Sequence, residues 1–229
     1  VLYLPFSENL INVSNTTYDR SPYGNDGTLN NMNQGDQILD GNATGWSPGK
    51  YGNGMGFEGT DDFVEVADNP ILDFKAPDSF TVSVWIFSES DFFISGNILD
   101  KRTANYEEGY FMIIDNDGAN KIRWGIEDTS NNNPIIRAFG LTPGQWNYVV
   151  GLRDVENDEL RLYINGEFIK RATDTTTGTL ETAASLTIGV GGASAASERY
   201  NGSIDEVMIY RRVLSDEEIR THYLRGSGY

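Results

Sequence analysis

Apolar residues recur at every second position in one segment of this chain after another. Phe80-Thr-Val-Ser-Val-Trp-Ile-Phe87 sets Phe80, Val82, Val84 and Ile86 on one face and Thr81, Ser83 and Trp85 on the other. Trp146–Leu152 likewise aligns Trp146, Tyr148, Val150 and Leu152. Both segments read as strands of a sandwich. Leu160–Ile164, then Asn165-Gly166, then Glu167–Lys170 reads as a hairpin, because Asn-Gly supplies the two positive-φ residues of a type I′ turn. Further strands are predicted at Val1–Leu4, Gly54–Phe57, Phe63–Val66, Gly96–Lys101 and Tyr110–Ile114. The segments Lys121–Ile126, Ile135–Phe139, Leu186–Gly189 and Ser203–Tyr210 complete the set, with turns such as Asn116–Gly118, Asn131–Pro134 and Thr142–Gly144 between neighbours. Helical periodicity is nearly absent. Ser215 and Glu218 form a capping box that opens one helix from Asp216 to near Tyr223. Many short strands at near-regular spacing predict an all-β sandwich or barrel. The stretches 30–48 and 189–197 read as surface loops rather than linkers, so residues 1–229 are expected to form one domain.

Composition narrows the function classes. The 229 residues are enough to bury a core without covalent staples. With no cysteine, disulfides, thiolate catalysis and thiolate metal ligands drop out. Net charge is −17, from 34 acidic and 17 basic residues, and the bases are scattered. A nucleic-acid or anionic-membrane partner needs concentrated Lys and Arg, so neither is expected. The acidic surplus serves solubility, or in places the binding of cations. No apolar run is long enough to insert in a bilayer, and Val1–Phe6 is too short for a signal peptide, so the chain reads as a mature or excised domain. Four Asn-x-Ser/Thr sequons, at Asn12, Asn15, Asn42 and Asn201, favour an exported surface glycoprotein.

A series of motifs then follows in order along the chain. It runs from Val1-Leu-Tyr-Leu-Pro-Phe6 and Tyr18–Leu29 through Gly54–Gly59 with Asp62–Val66 to Phe80–Trp85. It continues with Trp146–Gly151, Leu160–Gly166, Gly202–Tyr210 and Leu214–Ile219. The ordered set resembles the laminin-G-like jelly-roll domains of the concanavalin-A-like lectin/glucanase superfamily, over nearly the whole chain. The resemblance implies two stacked antiparallel sheets in jelly-roll order with a short C-terminal helix. It implies glycan or protein binding, often as a module of an adhesin, surface protein, virion protein or larger hydrolase. It also implies a structural calcium ion that ties the first loop to the last strand.

The residues offer a place for that ion. Asp19–Gly27 is dense in oxygen ligands, and calcium wants six to eight oxygens. Asp19 and Asn25 supply side chains, while Gly24 and Gly27 let the backbone fold around an ion. Asp205 is the distant partner. Strand parity places it on the apolar face of Val207 and Ile209, where a carboxylate needs compensation. The alternative is that Asp19 and Asp205 accept hydrogen bonds from turn amides.

Catalytic constellations are sparse. Glycoside hydrolysis needs two carboxylates across a cleft, and the Glu-x-Asp-x-x-Glu pattern of endoglucanases on this fold is missing. Glu65, Glu127 and Glu159 have no partner at strand spacing, and the only histidine, His222, falls in the terminal helix. Sugars also bind by stacking on aromatic rings. Trp46, in a polar loop, and Trp85, on the Thr/Ser-bearing face, are the candidate carbohydrate-binding residues, against a core role for either. The sequence thus points to a calcium-stabilised glycan- or surface-binding module, extracellular, on a cell surface or on a virion. A polysaccharide-active enzyme with unrecognised catalytic residues and a structural spacer are the alternatives.

Overall fold

The computed structural model describes residues 1–7, 15–32, 45–88, 95–103, 107–115, 120–192 and 198–226. The strands run in chain order. The first six are β1 (Leu2–Leu4), β2 (Thr16–Thr17), β3 (Gly27–Asn30), β4 (Gly45–Pro48), β5 (Asn53–Glu58) and β6 (Phe63–Val66). Next come β7 (Phe80–Phe87), β8 (Gly96–Arg102), β9 (Gly109–Ile114), β10 (Lys121–Glu127) and β11 (Ile135–Phe139). The last five are β12 (Asn147–Asp154), β13 (Glu159–Ile164), β14 (Glu167–Thr173), β15 (Leu186–Ile188) and β16 (Asn201–Tyr210), followed by helix α1 (Asp216–Gly226).

Two eight-stranded antiparallel sheets stack face to face. The first has the order β14-β13-β12-β7-β16-β5-β4, with β1 also on β16; the second runs β11-β10-β9-β8-β15-β6-β3-β2. The order is far from sequential because the chain crosses between sheets, as it does from β5 to β6. Side chains of both inner faces form one core, in which Phe80, Val82, Val84 and Ile86 of β7 meet Ile122, Trp124 and Ile126 of β10. Trp124 lies so close to the opposite sheet that a Cβ on Gly151 would fall 2.3 Å from its ring. Glycine at 151 is what lets the two sheets close at this point.

The outer face of the first sheet is covered as well. Tyr148, Val150 and Leu152, predicted to share a face, do so here, where they pack with Trp85 beneath Leu214 and Ile219 of the α1 region. Ser215 and Glu218 cap α1 reciprocally, at 2.9 and 3.2 Å. The β13–β14 turn has Asn165 at φ +52° and Gly166 at φ +79°, the expected type I′ signs.

Three short strands lie where the sequence reads as loop or turn. β2, β3 and β4 alternate weakly by themselves and gain their conformation from pairing with β3, β6 and β5 respectively. Thr16, Asn30 and Ser47 are polar, so no apolar period announces them. The Asn116–Gly118 turn, the sequons at Asn12 and Asn42, and parts of the stretches 30–48 and 189–197 lie outside the described residues. No helix among the described residues is long and apolar enough to cross a membrane.

Candidate functional site

The first loop is built around Asp19. One carboxylate oxygen accepts the N–H groups of Tyr3 and Ser21 at 2.9 and 2.8 Å. The other accepts the Ser21 hydroxyl at 2.7 Å and the Asn25 N–H at 2.8 Å. Burial opposes the ionised form, yet these four hydrogen bonds hold the pKa below the usual carboxylate range. An ionised carboxylate has about four acceptor positions. Four donors take them here. Asn25 is also engaged, donating to the Val1 carbonyl at 2.8 Å and accepting from the Asn69 amide at 2.7 Å. Gly24 has the positive φ expected of a tight turn, +67°. Gly27 plays a different part: it is paired in β3, and a Cβ there would strike Val64 and Thr17 at 2.6 and 2.8 Å.

Asp205 corrects the parity argument. β16 bulges between Asp205 and Met208, with Glu206 in the left-handed region at φ +52°. The bulge reverses the alternation, so Ile204, Val207 and Ile209 face the core together, while Asp205 pairs with Trp85 and turns to the outer face. There it is fully buried under the 49–52 loop, accepting the N–H groups of Glu206 at 2.8 Å and Tyr51 at 3.0 Å. Burial, reinforced by the Glu206 charge, pushes its pKa up to about 7. Among the described residues Asp19 and Asp205 share no hydrogen-bond partner. Protein donors occupy both carboxylates, each with its own set. The tie between first loop and last strand is made by protein groups. β1 pairs with β16, the Tyr3 N–H binds Asp19, and the Tyr3 hydroxyl binds Glu206 at 3.0 and 3.2 Å.

This corner opens into a cavity of about 630 Å³ between β1, β7, β12, β16 and α1. Tyr3, Tyr51, Trp85, Tyr148 and Tyr210 line it, with Glu206, His222 and Arg225. Trp85 is the hub: Tyr148 lies at 5.1 Å, Tyr223 stacks at 5.8 Å, Tyr51 meets it edge-on at 6.4 Å, and the Lys50 ammonium sits 4.5 Å from its ring centre. Burial raises the pKa of Glu206 against the pull of the Tyr3 hydroxyl bond, and raises that of Tyr210 to about 12. His222 belongs to the same wall, its ring 3.4 Å from the Tyr148 hydroxyl, with its pKa lowered by burial. The bulge at Glu206 and the seating of α1 create the cavity. Sequence alternation singled out Trp85 but carried no sign of either.

Trp46 is a correction. It stands in β4, 6% exposed, within the core between the sheets. A ring enclosed there offers no face to a sugar. Carboxylates also gather elsewhere among the described residues. Asp100 and Glu127 both bind Arg102, at 2.7 and 3.0 Å and at 3.4 Å, a pairing that crosses strands β8 and β10 and so has no sequence spacing. Asp100 is fully buried and gripped by both prongs of the guanidinium, which keeps it from solvent and substrate. Glu58, Asp61 and Asp62 form another group and could hold a metal, one oxygen of each lying within 4.8 Å of the others.

A family model described as the concanavalin A-like lectin/glucanases superfamily matches residues 58–220. No curated protein matches the chain by sequence. Among solved structures, the binding domain of Paraclostridial mosquitocidal protein 1 superposes with a TM-score of 0.71 at 16% identity, covering 97% of this chain and 51% of that one. The binding domain of botulinum neurotoxin serotype G gives 0.71 at 14%, covering 99% and 51%. Domain 4 of AbnA, an extracellular arabinanase from Geobacillus stearothermophilus solved in complex with arabinotriose, gives 0.65 at 18%, covering 96% of each chain. The chain thus spans about half the length of the toxin binding domains, and at these identities the likeness shows a shared fold.

Proposed function

The chain belongs to the concanavalin A-like lectin/glucanases superfamily, and from that premise we propose that it is a non-catalytic module that binds a glycan or glycosylated surface for a larger exported, cell-surface or virion protein. The aromatic cavity around Trp85 carries this reading. Sugar rings present apolar C–H faces to aromatic rings and hydroxyls to polar groups, and a pocket with a few convergent polar atoms suits both. Here Tyr51 and Tyr210 supply ring faces. Glu206 and the hydroxyls of Tyr3 and Tyr148 supply polar atoms at the floor. Trp85 is only 2% exposed, so it serves as the rigid backing of the site, and Lys50 must move off its ring for a ligand to reach it. The arabinotriose bound to the arabinanase domain supports a sugar as ligand.

A glycan array, run with and without chelator, tests the proposal. Glu206→Gln and Tyr51→Ala should each weaken the captured glycan on the order of tenfold, the loss of roughly one good polar or stacking contact. Binding that ignores both changes places the site elsewhere, and an array with no captured glycan leaves a spacer domain. The enzyme reading has less support. Asp100 is fully buried in the grip of Arg102, so it cannot pair across the cleft that Glu127 lines with Glu107 and Glu108. Turnover of a polysaccharide that stops with Glu127→Gln would restore it.

A further inference from the structure

The turn that carries the chain from the first sheet to the second, from the end of β5 at Glu58 to the start of β6 at Phe63, is crowded with negative charge. One oxygen from each of Glu58, Asp61 and Asp62 lies within 4.8 Å of the other two. Asp62 is 2% exposed. One of its oxygens accepts the Glu58 N–H at 2.7 Å, whereas the other, also buried, has no hydrogen-bond partner. A buried carboxylate oxygen without a donor is rare and unfavourable, and two further carboxylates beside it add repulsion. Arg199 is the opposing charge felt at Asp62. Its Nη1 is itself buried without a partner, so the pair is not closed by a hydrogen bond. The turn is nonetheless built to hold this arrangement. Gly59 adopts φ +80°, and the Thr60 hydroxyl bridges the Glu58 and Asp61 carboxylates. The backbone is tied in from outside: Asn201 donates to the Glu58 carbonyl at 2.8 Å and Asn31 to the Asp61 carbonyl at 3.2 Å.

We propose that this turn is a calcium site, ligated by Glu58, Asp61 and Asp62, that locks the crossover between the two sheets. Calcium–oxygen bonds of about 2.4 Å let ligands on opposite sides of the ion stand up to about 4.8 Å apart. Magnesium, at about 2.0–2.1 Å in a strict octahedron, needs a tighter cage and gives up its waters reluctantly. The free oxygen of Asp62 supplies the buried anchor. Asp61 is exposed, so the outer positions of the ion keep water and the ion exchanges with solvent. Through Glu58 and Asn201 the ion would stiffen the start of β16, and through Asp61 the end of β3. None of these groups lines the Trp85 cavity, so this site stands or falls apart from glycan binding.

Chelator-treated protein, titrated with calcium at neutral pH by calorimetry and followed by thermal melting, is the test. Saturable binding of one ion and a rise in Tm are expected, with a clearly smaller response to magnesium. Asp62→Asn should abolish both signals. Asp61→Asn, at an exposed position that leaves folding intact, should weaken affinity by at least about tenfold, the loss of one charged ligand. Asp19→Ala should lower the starting Tm yet keep the full calcium response. The absence of saturable binding, or a response that survives in Asp61→Asn and vanishes in Asp19→Ala, overturns the proposal.

Discussion

Asp205 shows how far a single residue's chemistry is set by backbone geometry. With the bulge at Glu206, its carboxylate is buried and bound by backbone N–H groups of Tyr51, Glu206 and Lys50, and burial raises its pKa to about 7. An unfolded aspartate titrates near about 3.9. Between these values the native state holds the extra proton, so stability falls as pH rises through the window and is greatest below it. Each tenfold difference in proton affinity between the two states corresponds to about 1.4 kcal/mol. Thermal melts taken from about pH 5 to about pH 8 should therefore show a declining Tm. Asp205→Asn should flatten that decline, and an unchanged slope would assign the effect to other groups. Asp128 has the opposite sign. Five donors, from Ser130, Asn132, Thr177 and Gly178, overcome its burial and lower its pKa to about 2. Its contribution is present above the unfolded pKa and is lost as pH falls toward about 2. At this scale the sequence was legible only in part. Asp19 stood out as a metal ligand, with turn hydrogen bonds as the alternative, and one-dimensional spacing could not tell four N–H and O–H donors from a cation. Trp46 misled for a related reason, since its polar neighbours belong to a short strand whose inner face is covered by the other sheet.

At the scale of elements, the clearest legible feature is the β13–β14 hairpin. Its Asn165 side chain accepts the Tyr148 N–H at 2.9 Å, and a Cβ on Gly166 would stand 3.0 Å from the Tyr223 ring of α1. Gly166→Val should lower stability by about 1–3 kcal/mol, because a β-branched residue resists positive φ. It should also loosen α1, read as faster hydrogen exchange in the helix. A melting curve that matches the wild type would remove both the turn and its contact with the helix. Long strands with strict alternation were legible because each buries a whole face. β2, β3 and β4 were not, since their glycine, threonine, asparagine and serine positions show no apolar period, and β3 pairs with the distant β6.

At the scale of the whole molecule, one core runs from Leu2 to Ile209 and includes side chains from both sheets. The domain is therefore expected to unfold in one cooperative step. Lys101 is the linchpin to test. Fully buried, its ammonium meets Asp68, Asp73 and the carbonyls of Thr182 and Ala184 at 2.8–3.1 Å, a cation in a cage of four oxygens. Lys101→Met should cost about 3–5 kcal/mol by leaving those oxygens uncompensated, while calorimetry still shows a single transition. Two separable transitions would mean that the chain holds two units.

The sequence by itself determined the all-β class, the long strands, the type I′ hairpin and the capped terminal helix, because period-2 burial, Asn-Gly turns and a Ser–Glu box act over a few neighbouring residues. Only the tertiary structure decided the rest. The bulge at Glu206 moved Asp205 to the outer face, α1 closed the Trp85 cavity, and the crossover turn drew Glu58, Asp61 and Asp62 together. Each of these depends on which distant strands lie side by side, and on the sign of φ at single residues. A pattern of apolar and polar positions carries neither.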